Sequence, residues 1–406
     1  MKPLDQISIR LNPLRWLLCL SALVVSIAVS AAGQTARPRI TAGVFDSSPS
    51  VTQFLSQPGW KASPGTIVTQ FTGGMSFPRG LKFGPGKNLY VAESGPGGDM
   101  STVGLCTQVP FPVGPTHGGN NGRVSRVDRN GIRTTVADGF PSESSGVGDE
   151  MGVADVAFLE GKLYALVAGG GCSHGHISPN EVNGVYRINN NGSWNLVADI
   201  SQFVHAHETA HPEAEDFEPD GSPYSMVAAE GSLFVVEPNH GQIIKIETNG
   251  RMRRLIDTSA VYGHMVPTAM TRHGEDLYVG NLGTFPVTAG SSQIFKVSES
   301  GHATTLYTGL TAVLGVQFDD DGNLYALEMT TVDHDFPVPG SGRVVRINRQ
   351  TGALTEVVSG LNLPTGMVFG ADEKLYISNW GFGPPFGEIL QVTFPSEGRH
   401  GDDDHN

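Results

Sequence analysis

The chain has 406 residues, including 53 Gly and 26 Pro, and its formal net charge at pH 7 is −14. This acidic balance comes with no basic patch, so we expect no binding to nucleic acid and no attraction to anionic membranes. The density of Gly and Pro indicates many turns and few helices, which is typical of an all-β protein.

The amino terminus has the pattern of an export signal. Three basic residues precede an apolar run from Trp16 to Val29, and small residues follow at 30–32. The run is too short to span a bilayer comfortably, although an uncleaved membrane anchor is the alternative. We predict a signal peptide over residues 1–32, a secreted or periplasmic mature protein, and no stable membrane insertion after cleavage.

One short phrase recurs along the chain. Its fullest form is DDDGNLYALE from Asp319 to Glu328, in which an Asp/Gly turn runs into an apolar strand. The same phrase occurs six times, each time around an aromatic anchor. The anchors are Tyr90, Tyr164, Phe234, Tyr278, Tyr325 and Tyr376.

A longer unit surrounds each anchor. An apolar segment such as PTGMVF from Pro364 precedes it, and a basic, β-branched strand such as GRVVRIN from Gly342 follows it. A turn then leads into an outer strand such as GIRTTVADG from Gly131. Four strands, a to d, repeated at roughly 40 to 50 residues indicate a propeller blade. We predict an all-β, six-bladed β-propeller of four-stranded antiparallel blades; a β-sandwich or β-helix explains the repetition less well.

The ends of the repeat predict how the ring closes. The sixth unit stops at Phe394 without an outer strand, whereas GTIVTQF from Gly65 to Phe71 is an orphan strand ahead of the first unit. We expect this strand to complete the sixth blade, which gives a propeller over residues 65–394. Residues 33–64 are expected to be a lead-in of low order. Residues 395–406 form an acidic, His-containing tail that we interpret as solvated, with metal capture as the alternative.

Connection lengths separate the two faces of the predicted ring. The b–c and d–a connections share one face and hold all the long insertions, so we call it the loop-rich face. Long loops on a rigid scaffold commonly carry binding sites. We therefore expect a monomeric protein that binds a small molecule, glycan or partner protein there.

His and acidic residues are densest between Val204 and Tyr224. Imidazoles and carboxylates brought together could bind a ligand or a divalent cation, and a solvated acidic loop is the alternative. The candidate ligand-binding residues are His205, His207, His211, Glu218, Asp220 and His240.

Polar residues also recur where the b strands end. Oxygen ligands converging from several blades at the channel mouth would suit Ca²⁺ or another divalent cation, which could activate water. Alternatively, these side chains end their strands by bonding to loop amides. The candidate metal ligands are Glu93, Glu237, Asn281, Glu328 and Asn379.

Cys106 and Cys172 are the cysteines of the predicted mature chain, and both lie in b–c connections of neighbouring units. An exported protein with two such residues is expected to join them in a disulfide. Two buried free thiols are the alternative.

The repeated LYV and GRV strands, the export signal, and the SHG and PYSM segments at 173–175 and 223–226 resemble the ScyD/ScyE family, which is related to scytonemin pigment clusters. The resemblance implies an exported six-bladed propeller without a firmly assigned reaction. NHL-type and SMP-30-type propellers share the same rhythm, and lactonase-like relatives use an acidic and amide metal site that Glu93, Asn281 and Asn379 resemble in type. This chain departs from that pattern because three equivalent strand ends carry Glu and no matching catalytic Asp is evident.

Two functions follow from these observations. The first is a ligand-binding propeller that uses its loop-rich face. The alternative is a metal-dependent hydrolase, lactonase-like enzyme or lyase with a cation at the channel mouth. The sequence contains no GxSxG elbow, phosphate-binding glycine loop or CxxC motif, so it leaves open whether the protein is an enzyme.

Overall fold

The structure is a computed structural model, and it describes residues 59–213 and 217–395. The expected signal peptide, most of the expected lead-in and the tail from residue 396 onward lie outside the described residues. No helix in the two described ranges is both long and apolar enough to cross a membrane.

Six antiparallel sheets form a closed ring, which confirms the six-bladed propeller. The inner a strands of successive blades contact one another around the whole ring, including those of blades 6 and 1. The strands of blades 1 to 3 are β3 (Pro78–Phe83), β4 (Leu89–Glu93), β5 (His117–Val127) and β6 (Arg133–Ser144); β7 (Val153–Leu159), β8 (Lys162–Val167), β9 (Gly184–Ile188) and β10 (Trp194–Asp199); and β11 (Ser225–Ala229), β12 (Ser232–Glu237), β13 (Gln242–Glu247) and β14 (Met252–Asp257).

The remaining blades follow the same order. Their strands are β15 (Pro267–His273), β16 (Asp276–Asn281), β17 (Ser292–Val297) and β18 (Ala303–Leu310) in blade 4; β19 (Val313–Phe318), β20 (Leu324–Glu328), β21 (Gly342–Ile347) and β22 (Leu354–Leu361) in blade 5; and β23 (Gly366–Phe369), β24 (Leu375–Asn379) and β25 (Gly387–Thr393) in blade 6.

The amino-terminal segment closes the ring as predicted. Strand β2 (Ile67–Met75) is the outer strand of blade 6 and pairs antiparallel with β25, from Ile67 opposite Thr393 to Met75 opposite Gly387. The strand is longer than the sequence pattern indicated. A further strand, β1 (Lys61–Ala62), pairs with β22 and adds a fifth strand to blade 5, so the last residues of the expected lead-in are part of a sheet.

Each hydrophobic cluster of the ring combines residues of two adjacent blades, because every sheet is covered on both faces. The repeated Tyr of strand b packs edge-on against a Phe from strand a of the next blade in four places. Such pairs stabilise a core by about 0.5–1.5 kcal/mol beyond their burial. They are Tyr90 with Phe158, Tyr278 with Phe318, Tyr325 with Phe369, and Tyr376 with Phe83.

Two short helices lie in d–a connections of the loop-rich face. Helix α1 (Ile200–Ala206) begins after Asp199, whose side chain accepts a hydrogen bond from the Gln202 amide. Helix α2 (Thr258–Tyr262) begins after Asp257 in the same way. Both caps satisfy amides of the first helical turn.

Candidate functional site at the channel mouth

The central channel is narrow. The a strands of all six blades line a cavity of about 30 Å³, which has room for about two water molecules. Small residues allow this close approach: a Cβ atom at Gly80 would lie 2.0 Å from Asp155 Oδ1. A ligand larger than water must therefore bind above the channel and not inside it.

Asp155 is buried beside this cavity. Its carboxylate accepts hydrogen bonds from the amides of Val156 and Met226, both at 2.8 Å, so it links blades 2 and 3. Burial raises the pKa of Asp155, and Lys82 opposes that effect. Both oxygens are committed to the scaffold, which makes Asp155 a structural residue.

Tyr224 closes the channel on the loop-rich face. It precedes β11 of blade 3, and its hydroxyl donates a hydrogen bond of 2.7 Å to the carbonyl of Thr365 at the entry to blade 6. Thr365 Oγ1 in turn donates to the Pro78 carbonyl of blade 1 at 2.6 Å. Tyr224 thus spans opposite sides of the ring and provides a floor at the channel mouth.

A buried cation, Arg79, lies at the same level. Its Nη2 donates to Asp149 Oδ1 and to the Glu150 carbonyl, both at 2.7 Å, and its Nε donates to Ser94 Oγ at 3.2 Å. The guanidinium carbon lies 4.6 Å from the ring centre of Phe382. Arg79 therefore joins blade 1, the β6–β7 connection and blade 6 around the mouth.

Blades 4 to 6, together with Tyr224, supply an apolar wall at the channel mouth. Four of its residues are buried, and four half-buried residues pack against them. The wall consists of Ala312, Leu314, Met329 and Leu363 with Tyr224, Leu282, Trp380 and Phe382. We use the name recess for the part of the channel mouth where the half-buried residues of this cluster meet Arg79.

Glu150, whose carbonyl oxygen binds Arg79, has a carboxyl group with a raised pKa. Burial, followed by the charge of Asp149, raises its pKa to about 7, while Arg79 acts in the opposite direction. Its Oε2 is enclosed and has no hydrogen-bond partner among the described residues. A carboxyl group that titrates near neutral pH is a candidate proton donor or acceptor.

His174 connects the loops that carry these residues. Its Nδ1 lies 2.7 Å from Glu143 Oε2 at the end of β6, and its Nε2 donates to the Gly221 carbonyl at 3.0 Å. Burial alone would lower the pKa of His174, but Glu143 outweighs it and, with Glu218 and Asp220, raises the pKa to about 10. His174 is therefore a buried cation that ties the β6–β7 connection to the one that leads into Tyr224.

The structure brings together four of the six predicted ligand-binding residues. Asp220 accepts hydrogen bonds from the Ser173 amide and hydroxyl at 2.6 and 2.7 Å and lies 3.3 Å from His205 Nε2. His240 Nε2 lies 3.1 Å from the carbonyl of Glu218. These residues adjoin His174 through Glu218 and Asp220.

The other two residues of that prediction are placed differently. The His207 ring stacks on Phe203 at 4.1 Å and its Nδ1 bonds to the Phe203 carbonyl. His211 is exposed, and its amide donates to Ser259 Oγ. Neither contact directs an imidazole toward the carboxylates of Glu218 and Asp220, so ligand binding by all six residues stays a prediction.

The five strand-end residues accept hydrogen bonds from backbone amides, as the alternative to a metal site predicts. Glu93 accepts from the Ser76 amide and Arg123, Glu328 from the Thr311 amide and Arg343, and Asn379 from the Asn362 amide. Glu237 accepts from three loop amides, and Asn281 accepts from the Gln293 amide. Each side chain anchors a neighbouring connection or strand of the loop-rich face.

These contacts do not favour a cation at the strand ends. Within residues 59–213 and 217–395, no three His, Cys, Asp or Glu side chains are grouped so that they could hold a metal ion. Ca²⁺ or another divalent cation at this position stays a prediction. Because the carboxylates already have donors, we expect excess EDTA or about 5 mM Ca²⁺ to leave the melting temperature unchanged. A stabilisation by Ca²⁺ that is lost in Glu93→Gln would instead support a metal site at the strand ends.

Cys106 and Cys172 form a disulfide with an S–S distance of 2.15 Å. It joins the long b–c connections of blades 1 and 2. The Cys172 carbonyl also accepts a hydrogen bond from Thr102 Oγ1. Since Ser173 and His174 follow directly, the disulfide holds the segment that contacts Asp220 and Glu143.

Four features of the site were not predicted from the sequence: Arg79, Asp149, Glu150 and the role of His174. The available signals were weak: Arg79 is the only basic residue at the start of an a strand, and Asp149 and Glu150 stand alone in a Gly-rich connection. Their partners lie far away in sequence, 70 residues in the case of Arg79 and Asp149.

No family model and no curated protein matches the sequence. Among solved structures, a putative oxidoreductase (glucose dehydrogenase) from Thermus thermophilus aligns with a TM-score of 0.53 at 15% identity, over 81% of this chain and 100% of that one. A gluconolactonase from Xanthomonas campestris aligns with a TM-score of 0.50 at 12% identity, over 82% and 91%.

A luciferin-regenerating enzyme also aligns, with a TM-score of 0.50 at 11% identity, over 81% of this chain and 95% of that one. The chain therefore shares the six-bladed propeller fold with these structures. At these identities the likeness shows a shared fold and is no evidence for a shared reaction. Membership of the ScyD/ScyE family stays a prediction.

Proposed function

We propose that this gluconolactonase-like propeller is an exported protein that binds a small organic molecule in the recess. One observation carries the proposal: the channel is closed by Tyr224, and the closed mouth combines an apolar wall with buried charge around Arg79. Apolar walls with a few fixed polar groups are the usual composition of ligand sites. The alternative occupants of the loop-rich face, a glycan or a partner protein, are outcomes of the tests below.

Export is part of the same proposal. Its support is the amino-terminal signal pattern together with the disulfide between Cys106 and Cys172, because disulfides persist in oxidising compartments. Cell fractionation followed by amino-terminal sequencing tests it. We expect a mature protein outside the cytoplasm that lacks residues 1–32, and full-length protein retained in the cytoplasm would contradict export.

The recess is tested by removing one half-buried aromatic side chain. A small-molecule library is screened by ligand-observed NMR, and the dissociation constants of the hits are compared between wild type, Phe382→Ala and Leu306→Ala. We expect Phe382→Ala to weaken binding about 10- to 30-fold, because it removes both apolar wall and the surface that Arg79 packs against. Leu306 lies on outer strand β18 and is the matched control.

Hits that bind equally well to wild type and Phe382→Ala would place binding elsewhere. Hits weakened by Leu306→Ala would indicate a general loss of folding. A partner protein or glycan that binds wild type while no small molecule does would favour the wider loop-rich face over the recess.

A second candidate function is catalysis at the same mouth. Glu150 favours it, because its enclosed carboxyl group has a pKa raised to about 7 by burial and Asp149. General acid–base catalysis by such a group contributes about 10²–10⁴-fold to a rate. If any hit is converted during incubation, we expect Glu150→Gln to slow the conversion at least about 100-fold while binding is retained. Conversion at an unchanged rate would exclude Glu150.

A further inference from the structure

The connections of the loop-rich face are acidic. In sequence, none of the connections that join strands b to c or d to a contains Lys or Arg. Acidic residues are spread over these same connections. They include Asp99, Asp149, Glu150, Glu181, Asp333 and Asp335.

The opposite face differs in this respect. Its short a–b and c–d turns carry both signs, and its basic residues include Lys87, Arg129, Arg251, Arg349 and Lys374. The connections at the end of the ring that contains the recess therefore carry acidic side chains without Lys or Arg. The field of such a surface attracts cations and repels anions.

The charges at the recess comprise two ion pairs, Arg79 with Asp149 and His174 with Glu143, and one further carboxyl group. Arg79, at the start of β3, is paired with Asp149 at 2.7 Å. Glu150 then stands as an additional carboxyl group, and its Oε2 lacks a donor within the described part of the chain. Glu143 Oε1 is also buried without a donor from those residues, while Glu143 Oε2 is paired with His174. An acceptor held away from water without a donor is unfavourable, so a ligand that brings N–H groups is favoured over one that brings acceptors.

The opposite wall of the recess suits an apolar group. The half-buried rings of Trp380, Phe382 and Tyr224 pack against the buried side chains of Met329 and Leu363 and present aromatic surface. Phe382 already lies against one cation, the guanidinium of Arg79. Aromatic faces stabilise organic cations more than they stabilise neutral groups.

We propose that the recess binds a small amphipathic organic cation, with its ammonium group beside Glu150 and its apolar body on the half-buried rings of Phe382 and Trp380. This inference rests on the proposed ligand-binding function and names the class of its ligand. No bond is made or broken in this step.

Three probes with one hydrophobe and different head groups test the ligand class: 4-phenylbutylamine, 4-phenylbutan-1-ol and 4-phenylbutyrate. Their dissociation constants for the full mature protein are measured by ligand-observed NMR at pH 8 and low ionic strength. We expect the amine to bind at least about tenfold more tightly than the alcohol, and the carboxylate to bind most weakly. Equal or tighter binding of the alcohol or carboxylate would overturn the inference.

Two matched variants locate the ammonium group. Glu150→Gln keeps the shape of the side chain and is expected to remove most of the tenfold advantage of the amine while leaving alcohol binding unchanged. Asp335→Asn removes an exposed acid of the same face and is expected to leave all three affinities within about twofold. An amine advantage that survives Glu150→Gln would overturn the placement.

The pH dependence gives an independent readout. Glu150 faces Asp149 and Glu143, which disfavour its ionisation, and Arg79, which favours it. Because its carboxyl group is ionised above about pH 7, amine affinity is expected to rise up to about tenfold per pH unit between pH 5.5 and 7 and then level off. Alcohol affinity is expected to stay constant. A flat or falling amine profile would overturn the inference.

The outcomes separate this inference from the proposed function. If alcohol and carboxylate bind and Phe382→Ala weakens them, the recess is a ligand site but not one for cations. If none of the three probes binds at concentrations up to about 10 mM, both proposals fail. A Phe-Lys dipeptide with blocked termini carries the same kind of ammonium group as part of a peptide. If it bound much more tightly than the amine, the assignment to a small molecule would be overturned.

Discussion

A mature chain that begins at Ser76 is expected to lose cooperative folding, because it lacks the strand that closes the ring. Strand β2 completes blade 6, and without it β25 presents an unpaired edge. The truncation also removes Met75, which is fully buried, and Phe71, which packs edge-on against Tyr376. Circular dichroism during heating and size-exclusion chromatography should show a broad transition and aggregation.

A permuted chain provides the matched control. Ile67 pairs with Thr393, so the start of β2 lies beside the end of β25. Residues 65–75 can therefore be moved behind Pro395 through a short Gly-containing turn, as a hairpin. We expect this chain to melt cooperatively within a few degrees of wild type. If the truncated chain folded as well as the permuted one, β2 would not be the closure of the ring.

The architecture was predictable because its information is local. The Asp/Gly turn, the apolar strand with its aromatic anchor and the β-branched strand that follows recur within each unit, and each is specified by neighbouring residues. The structure explains the aromatic anchor, because Tyr90 packs edge-on against Phe158 of the next blade. Ring closure followed from one missing outer strand and one orphan strand.

The recess was not predictable in the same way. Arg79, Asp149, Tyr224 and Phe382 come from four separate stretches, and only the closed ring places them together. The density of His and acidic residues along the chain did not predict which of these side chains lie together. His205 and His207 are two residues apart, yet one lies against Asp220 and the other stacks on Phe203.

For the strand-end residues, the sequence repeat specifies their positions but not their hydrogen-bond partners. Their equivalent positions were evident from the repeat, but two chemistries were compatible with them. The structure uses Glu93 and Glu328 to accept hydrogen bonds from amides and Arg side chains. Those donors are set by the paths of the connections, which the repeat does not specify.

Replacement of His174 by Ala is expected to lower the free energy of unfolding by about 3–5 kcal/mol at pH 7, because it removes one partner of a buried ion pair. The Glu143 carboxylate is then left without its charge partner. The substitution also frees the Gly221 carbonyl from its donor. Urea unfolding measures the change, provided that the m-value, the dependence of the unfolding free energy on urea concentration, is the same for both proteins. His302→Ala, in a c–d turn of the opposite face, is the control.

The pH dependence distinguishes a charged His174 from a neutral packing residue. Glu143 raises the pKa of His174 in the folded protein to about 10, whereas its ordinary value is 6.5. The folded state therefore holds a proton that the unfolded chain releases between these pH values, and stability due to His174 is complete below about pH 6.5 and lost as pH rises toward 10. The difference in unfolding free energy between wild type and His174→Ala should shrink accordingly from pH 6.5 to pH 10. A difference that stays constant over this range would show that His174 acts through packing alone, and the β6–β7 connection would then need another explanation for its position beside Tyr224.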